Sequence, residues 1–368
     1  MLKTRYRVGI IGLQPNRSWA SVAHVPALRA LPDLYDIVGV ANTTRASAEA
    51  AAAAYSIPRA YGNPAELVAD ANVDIVTITV KVPHHRELVK LAFDAGKHVY
   101  CEWPLGNGLA EADDMARLAE EKGLLAVCGT QALASPEIHY AGKLVKDGYV
   151  GNVLSTTIVG RGRGWGDSIP LRSTAYVLDS KNGASMMTIP MGHTLAALRG
   201  VLGDVGELSA VLANRRTRVK ALDTGEMVPM TSHDQVLFCG LMTSGAPVAL
   251  HFRGGDARDG NGFDWQINGT EGDLQLTGRS GHTQQVQLVL KGGRAGDKEM
   301  KAMDVPAAYR EGGDNPMVGN VARLYGRMAT DLSKGTHTAP TFADAVEVHR
   351  VIDAIEKSAK SGMRVKVR

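Results

Sequence analysis

With 368 residues, 44% of them hydrophobic and 21% charged, the chain has the balance of a globular protein long enough for two domains. A net charge of +3 and the absence of any membrane-length apolar run argue against a nucleic-acid footprint and against membrane insertion. The three cysteines, Cys101, Cys128 and Cys239, are odd in number and widely spaced, which points to reduced thiols in the cytoplasm and away from disulfides or a cysteine zinc site.

The start, Met1 to Arg7, is basic and runs straight into a strand without the apolar core of a signal peptide, so secretion is not expected. Residues 8–11, 37–40, 75–78, 99–101 and 125–127 then read as strands. Their unbroken apolarity suits parallel strands covered on both faces. Residues 19–31, 45–55, 85–95 and 111–122 carry apolar positions at helical spacing, the last closed by Gly123 as a C-cap. This alternation predicts an α/β domain over 1–130, a Rossmann-type doubly wound parallel sheet. From about residue 151 successive strands follow one another, at 155–159, 208–213, 236–242, 247–252, 264–268, 273–277 and 285–290. Gly269-Thr270-Glu271-Gly272 makes a turn between two of them. Residues 131–368 are therefore expected to form an α+β domain with a mostly antiparallel open sheet, ending in helices at 320–333 and 342–358, the last able to pack back toward the first domain. An open sheet face predicts a homodimer or homotetramer. The basic cluster Arg215 to Lys220 lacks interleaved aromatics and reads as a solvated strand or loop.

The first strand ends at Gly12 and a helix follows, which is the place for a dinucleotide phosphate loop. Only Gly12 matches the glycine fingerprint; Gln14, Asn16 and Ser18 stand in the remaining positions. Gln14, Asn16, Arg17 and Trp19 are candidate cofactor contacts, with Arg17 and the helix-start amides aimed at a pyrophosphate. The alternative is that Pro15 merely shapes the turn and Arg17 is solvated. After the second strand, Asn42-Thr43-Thr44-Arg45 offers hydroxyls and a guanidinium and no carboxylate. That favours NADP, with NAD as the second choice; the competing reading is that Thr43 or Thr44 caps the next helix. Lys81, past the fourth strand, and neighbouring His84 complete this set. Lys81 is also a candidate proton shuttle.

Glu102-Trp103-Pro104, just after His98-Val99-Tyr100-Cys101, resembles the Glu-Lys-Pro signature of the Gfo/Idh/MocA oxidoreductase family. His24-Val25-Pro26-Ala27-Leu28 and His85 are similar to further family segments. Gln131 with Ser135-Pro136, Gly192-His193-Thr194, Asp234, Phe252-Arg253-Gly254-Gly255 and Arg323-Leu324-Tyr325 resemble the subgroup that contains the fungal galactose-pathway repressor, which also carries Glu-Trp. The resemblance implies that Glu102, Trp103 and Gln131 lie at the cofactor. It also implies that His193 survives from an Asp-x-x-x-His pair whose aspartate is Ile189 here. With the family lysine replaced by Trp103, an indole with no usable proton, His193 becomes the leading acid–base candidate, and Trp103 offers a flat face to a substrate. Arg163 and Trp165, in a glycine-rich loop, together with Tyr176 and Asp179, are expected to border a small-molecule pocket. His84 and His85 are adjacent and cannot chelate from one helix face, so no metal site is expected. Two functions follow: an NAD(P)-dependent oxidoreductase acting on a hydroxyl or carbonyl of a sugar, polyol or related cyclic compound, or a non-catalytic NADP-binding regulator.

Overall fold

The computed structural model describes residues 5–368; residues 1–4 of the basic start discussed above lie outside them. The chain divides into two units. One comprises residues up to 131 together with 311–346, the other 132–310 with 347–368. The expected boundary at 130 thus has a return: 311–346, carrying the helix Pro316–Lys334, belongs with the first unit. The final helix, Phe342–Ser361, has residues in both.

In the first unit the apolar runs form a six-stranded parallel sheet: Tyr6–Ile11 (β1), Tyr35–Ala41 (β2), Arg59–Tyr61 (β3), Ile75–Ile78 (β4), His98–Glu102 (β5) and Ala126–Gly129 (β6). The order is β3-β2-β1-β4-β5-β6, so the chain reverses its winding between β1 and β4, where ligand crevices form in such sheets. Edge strand β3 and the following helix Pro64–Ala69 carry no apolar run and escaped the pattern. Tyr61 positions β3 instead, its ring lying where a side chain on Gly39 would otherwise sit. The expected helix at 19–31 is two pieces, a five-residue π turn Ala20–His24 and a five-residue α-helix Val25–Arg29. Pro26 lacks the amide that would extend one regular ladder through both.

The second unit holds a nine-stranded, mostly antiparallel sheet and a small three-stranded one. Its strands in chain order are Val153–Gly162 (β7), Ser168–Ile169 (β8), Val205–Ala213 (β9), Arg218–Ala221 (β10), Met227–Pro229 (β11), Gln235–Met242 (β12), Pro247–Gly254 (β13), Phe263–Gly269 (β14), Gly272–Gly278 (β15), Leu288–Arg294 (β16), Lys301–Ala302 (β17) and Val365–Lys366 (β18). The large sheet runs β17-β16-β15-β14-β7-β13-β12-β9-β18, and its one parallel pairing is β7 with β13. The small sheet, β11-β10-β8, takes in part of the Arg215 to Lys220 cluster. The strand expected at 285–290 begins three residues later, because 280–287 is a connecting segment that buries Thr283 and Gln284 and half-buries His282. Helices Pro136–Lys146 and Pro190–Leu202 pack together. On the large sheet, register places Thr157, Val211, Cys239, Gln266 and Val289 on one face, and Val211 and Val289 are exposed.

Candidate functional site

In the first unit, the predicted cofactor residues gather at the carboxyl ends of the parallel strands. Gly12 follows β1 with φ +104°, and a Cβ there would come 2.8 Å from Val80 Cγ1 and 3.0 Å from Thr79 Oγ1. Only glycine fits that turn on both counts. The loop beyond it is closed on itself. The Gln14 amide donates to Ser18 Oγ at 2.9 Å, the Arg17 and Ser18 amides donate to the Gln14 carbonyl, and the Asn16 amide donates to Tyr55 Oη at 3.3 Å. Four loop amides, those of Gln14, Asn16, Arg17 and Ser18, are thus bonded within the fold, and the helix behind them opens as a short π turn. Gln14, Asn16 and Arg17 are exposed. Trp19 keeps its Nε1 donor buried without a partner.

Asn42 is buried and ties the loop to the next helix, its Nδ2 donating to the Leu13 and Ser47 carbonyls at 2.8 and 3.0 Å. Its Oδ1 has no partner. Thr44 is the N-cap, accepting from the Ser47 amide at 3.2 Å, while Thr43 is exposed. Arg45 forms an exposed ion pair with Glu66 at 3.1 Å, and Glu66 also accepts the Gly62 amide at 2.8 Å. A carboxylate absent from 41–45 in sequence is thus supplied in space by the helix after β3.

Past β4, Lys81 is exposed and precedes a short 3-10 turn. His84 is also exposed and pairs with Glu87 at 3.1 Å on the surface, so its assignment as a cofactor contact finds no support there. Its neighbour His85 is the buried one. Its Nδ1 lies 3.0 Å from the Pro104 carbonyl and its Nε2 3.0 Å from the Val80 carbonyl, which joins the end of β4 to the Glu-Trp-Pro turn. Burial lowers its pKa against the opposing pull of these carbonyls.

Glu102 is the centre of a buried polar chain. Gln131 Nε2 donates to both carboxylate oxygens at 2.7 and 2.8 Å, and His24 Nε2 reaches Oε1 at 2.8 Å. Behind His24, its Nδ1 meets Tyr325 Oη at 2.9 Å, and that hydroxyl meets Thr77 Oγ1 at 2.9 Å. Since a carboxylate only accepts, His24 donates to it from Nε2. The ring of Tyr325, on the returning helix, stacks on Tyr100 at 4.7 Å. Gly129 makes room for the chain: a Cβ there would lie 2.6 Å from Glu102 Oε1. Gln131 Oε1 remains buried without a partner. Trp103 is 5% exposed and its peptide bond to Pro104 is cis.

In the second unit, His193 sits on the first turn of Pro190–Leu202, after Ile189 as an N-cap that makes no side-chain bond. It is 3% exposed and its Nδ1 has no partner. Burial, and then the nearby His282, push its pKa down to about 3. Trp165 is buried; its Nε1 donates to the Val177 carbonyl at 3.1 Å and its ring stacks on His282 at 6.1 Å. Burial holds His282 at about 4. The remaining predicted pocket residues separate. Arg163 is exposed, 3.7 Å from Asp256. Asp179 is exposed and caps a short turn, accepting from the Lys181 amide and the Thr231 hydroxyl. Arg163 thus sits in a surface pair and Asp179 in a turn cap. Tyr176 is partly covered, and burial raises its pKa. Asp234, matched in sequence to the subgroup, is structural: its buried carboxylate accepts the Arg215 amide at 2.8 Å and pairs with Arg216 at 3.3 Å. His282 and Glu66 were missed because no motif or periodicity marks them.

The buried histidines carry a stability consequence. His193, His282 and His349 stay neutral in the fold, at about 3, 4 and 4 against an ordinary 6.5, whereas the unfolded chain protonates them below about 6.5. Their neutral burial is therefore fully compatible with folding above that value, and stability drains as pH falls from about 6.5 toward 4. The slope is up to about 1.4 kcal/mol per pH unit for each imidazole. Thermal denaturation between pH 7.5 and 4.5 should show this loss, and His349→Gln should make it shallower. An unchanged slope in that variant would refute the assignment for His349.

Among the described residues no group of three or more His, Cys, Asp or Glu side chains is placed to hold a metal ion, and no helix is long and apolar enough to cross a membrane. Residues 6–130 match the Gfo/Idh/MocA model, described as an oxidoreductase family with an NAD-binding Rossmann fold, and residues 136–278 match the model of the Gal80p C-terminal domain. The galactose/lactose metabolism regulatory protein GAL80 of Saccharomyces cerevisiae is 27% identical, over 98% of this chain and 94% of its own. A crystal structure of a super-repressor mutant of that protein superimposes with a TM-score of 0.89 at 26% identity, covering 99% of this chain and 98% of the other. Dehydrogenase aclE of Aspergillus oryzae is 28% identical over 98% of each chain. Levoglucosan dehydrogenase, in complex with NADH and levoglucosan, shares the fold at a TM-score of 0.85 and 20% identity over 99% of each chain. With a parallel-sheet first unit, a mostly antiparallel second unit and these matches in tandem, the chain is similar to the Gfo/Idh/MocA oxidoreductase family in its first unit and to Gal80 along nearly its whole length.

Proposed function

We propose that this chain is a nicotinamide-dependent oxidoreductase acting on a hydroxyl or carbonyl of a sugar, polyol or related cyclic compound without the family's lysine. The observation that carries this reading is His193, a buried imidazole held neutral with an unbonded Nδ1. A neutral ring accepts a proton from a hydroxyl but cannot give one, which suits oxidation of an alcohol. Losing one acid–base group costs on the order of 10²–10⁴-fold, or about 3–5.5 kcal/mol, whereas positioning contributes roughly 7–11 kcal/mol. Positioning therefore outweighs the loss of one such group, and His193 is what offsets the second.

The first unit fits a dinucleotide: Gly12 leaves no Cβ at the turn, and Trp19 Nε1, Asn42 Oδ1 and Gln131 Oε1 are buried polar atoms awaiting partners. When bound, the nicotinamide supplies the hydride chemistry. In this reading Asn42 accepts from a ribose hydroxyl, and the chain from Thr77 to Gln131 holds Glu102 as a fixed acceptor. Lys81 is a phosphate contact or second proton shuttle. NADP is the preferred cofactor. The exposed Arg45–Glu66 pair is worth about 0–1 kcal/mol, so a 2′-phosphate that offers Arg45 a stronger charge-assisted bond displaces Glu66 cheaply. Arg45→Ala should then weaken NADP more than NAD, and Glu66→Gln should tighten NADP about threefold or more. Equal losses for both nucleotides, measured by fluorescence titration, would sink the assignment.

A second reading, a non-catalytic NADP-binding regulator, is supported by similarity to GAL80 along nearly the full length of both chains and by the low basicity of His193. Anaerobic incubation with NADP or NADPH across a polyol and keto-sugar panel, followed at the nicotinamide absorbance, separates the two. Turnover supports the enzyme; tight NADP binding with no turnover supports the regulator. We also read the open sheet face as a homo-oligomer contact, to be checked by light scattering.

A further inference from the structure

The geometry points to His282 as a second ligand-contacting imidazole of the second unit, which with His193 grips a neutral, hydroxyl-bearing small molecule. The inference rests on the polyol class proposed above. His282 lies on the segment between β15 and β16, and several features fix its ring in place. Trp165 stacks on one face at an interplanar angle of 17°, itself anchored through Nε1 to the Val177 carbonyl. Preceding it, Gly281 presses against β7 so closely that a Cβ would lie 2.6 Å from the Arg161 carbonyl oxygen and 2.8 Å from the Phe252 ring. Gly162 leaves the space for Met186 that brings β7 up to Trp165.

So much fixing holds an imidazole whose Nδ1 makes no hydrogen bond. A neutral imidazole carries one proton, and with it on the other nitrogen Nδ1 stands as a lone-pair acceptor. The next residue, Thr283, is fully buried with Oγ1 unpartnered. His193, near enough for the charge of one ring to be felt by the other, likewise has an unbonded Nδ1. Buried polar atoms left unpaired cost stability, and three of them on two adjacent segments are poor structural economy but a good ligand surface. Their chemistry selects the ligand. Two rings kept neutral by burial offer no charge for a carboxylate or phosphate, whereas lone pairs on two imidazoles match two hydroxyl donors of one polyol.

The test uses the NADP-loaded full chain, with myo-inositol, D-glucose and cis-1,2-cyclohexanediol each titrated by calorimetry. His282→Phe keeps a ring against Trp165 and removes the acceptor; it is expected to weaken the bound polyol about tenfold or more while NADP affinity is unchanged. In the native chain with 15N-labelled histidine, the polyol should move the His282 Nδ1 resonance away from its unbonded lone-pair position. Should His282→Phe fail to fold, this resonance decides: one unmoved at saturating polyol overturns the inference. A polyol that binds His282→Phe as it binds the native chain overturns the inference alone. Failure of all three probes to bind the native chain overturns it together with the proposed substrate class.

Discussion

Replacing His193 by alanine is expected to lower turnover by about 10²–10⁴-fold, the usual worth of a positioned acid–base group, with NADP affinity unchanged. The residues proposed to hold the cofactor, from Gly12 through Asn42 to Glu102, belong to the other unit and do not depend on the imidazole. His193 is buried in a helix whose first nine residues are all buried, so the alanine variant also leaves a cavity. Thermal denaturation must accompany the kinetics. His193→Asn, which keeps a polar side chain of smaller size, should fold closer to the native chain and yet remain slow, because an amide lacks the basic ring nitrogen that accepts a hydroxyl proton. Turnover within about threefold of native in both variants would remove His193 from the chemistry and leave Lys81 as the surviving candidate.

The second large effect concerns folding. Gly254→Ala should destabilise the second unit by about 3 kcal/mol or more, at or beyond the usual range for overpacking. A Cβ at Gly254 would fall 1.9 Å from the main-chain oxygen of Trp165 and 2.7 Å from its carbonyl carbon. Backbone atoms cannot swing away as a side-chain tip can. The Gly254 amide is also committed, donating to the Asp234 carbonyl at 2.7 Å, so β13 cannot back off without breaking that bond. Because Trp165 carries the His282 ring, ligand binding should fall with stability. Gly326→Ala is the contrasting control: the position lies inside the helix Pro316–Lys334 and its Cβ would meet nothing. There the substitution should stabilise by about 0.5–1 kcal/mol through helix propensity alone. Urea denaturation of the two variants checks both signs, and a Gly254→Ala protein as stable as the native one would contradict the packing argument.

Patterns of apolar residues revealed most of the central strands of both sheets, because a buried strand writes its burial into consecutive or alternate positions. They missed β3, an edge strand placed by one ring over one glycine. They also missed the helix Pro190–Leu202, buried on all sides and therefore without the polar face that makes a helix visible. The candidate site divides similarly. Gly12, Glu102, Gln131 and His193 were legible because motif positions carry them. His24, Tyr325 and Thr77 come together only in the fold, from positions up to 301 residues apart.

What local chemistry dictates here is the class of the chain: parallel strands with a glycine turn at Gly12, a Glu-Trp-Pro in place of the family triplet, and a histidine that has lost its aspartate. These depend on residue type and near neighbours, which the linear order records. The protonation and partners of those groups depend on distances across the fold. Glu66 meets Arg45 although the sequence around Arg45 is free of carboxylates. The Gln14 and Asn16 amides in the loop after Gly12 are taken by Ser18 and Tyr55. Burial, and then the nearby His282, keep His193 uncharged. Electrostatic and hydrogen-bond energies turn on a few ångströms of separation, and only the tertiary structure sets those.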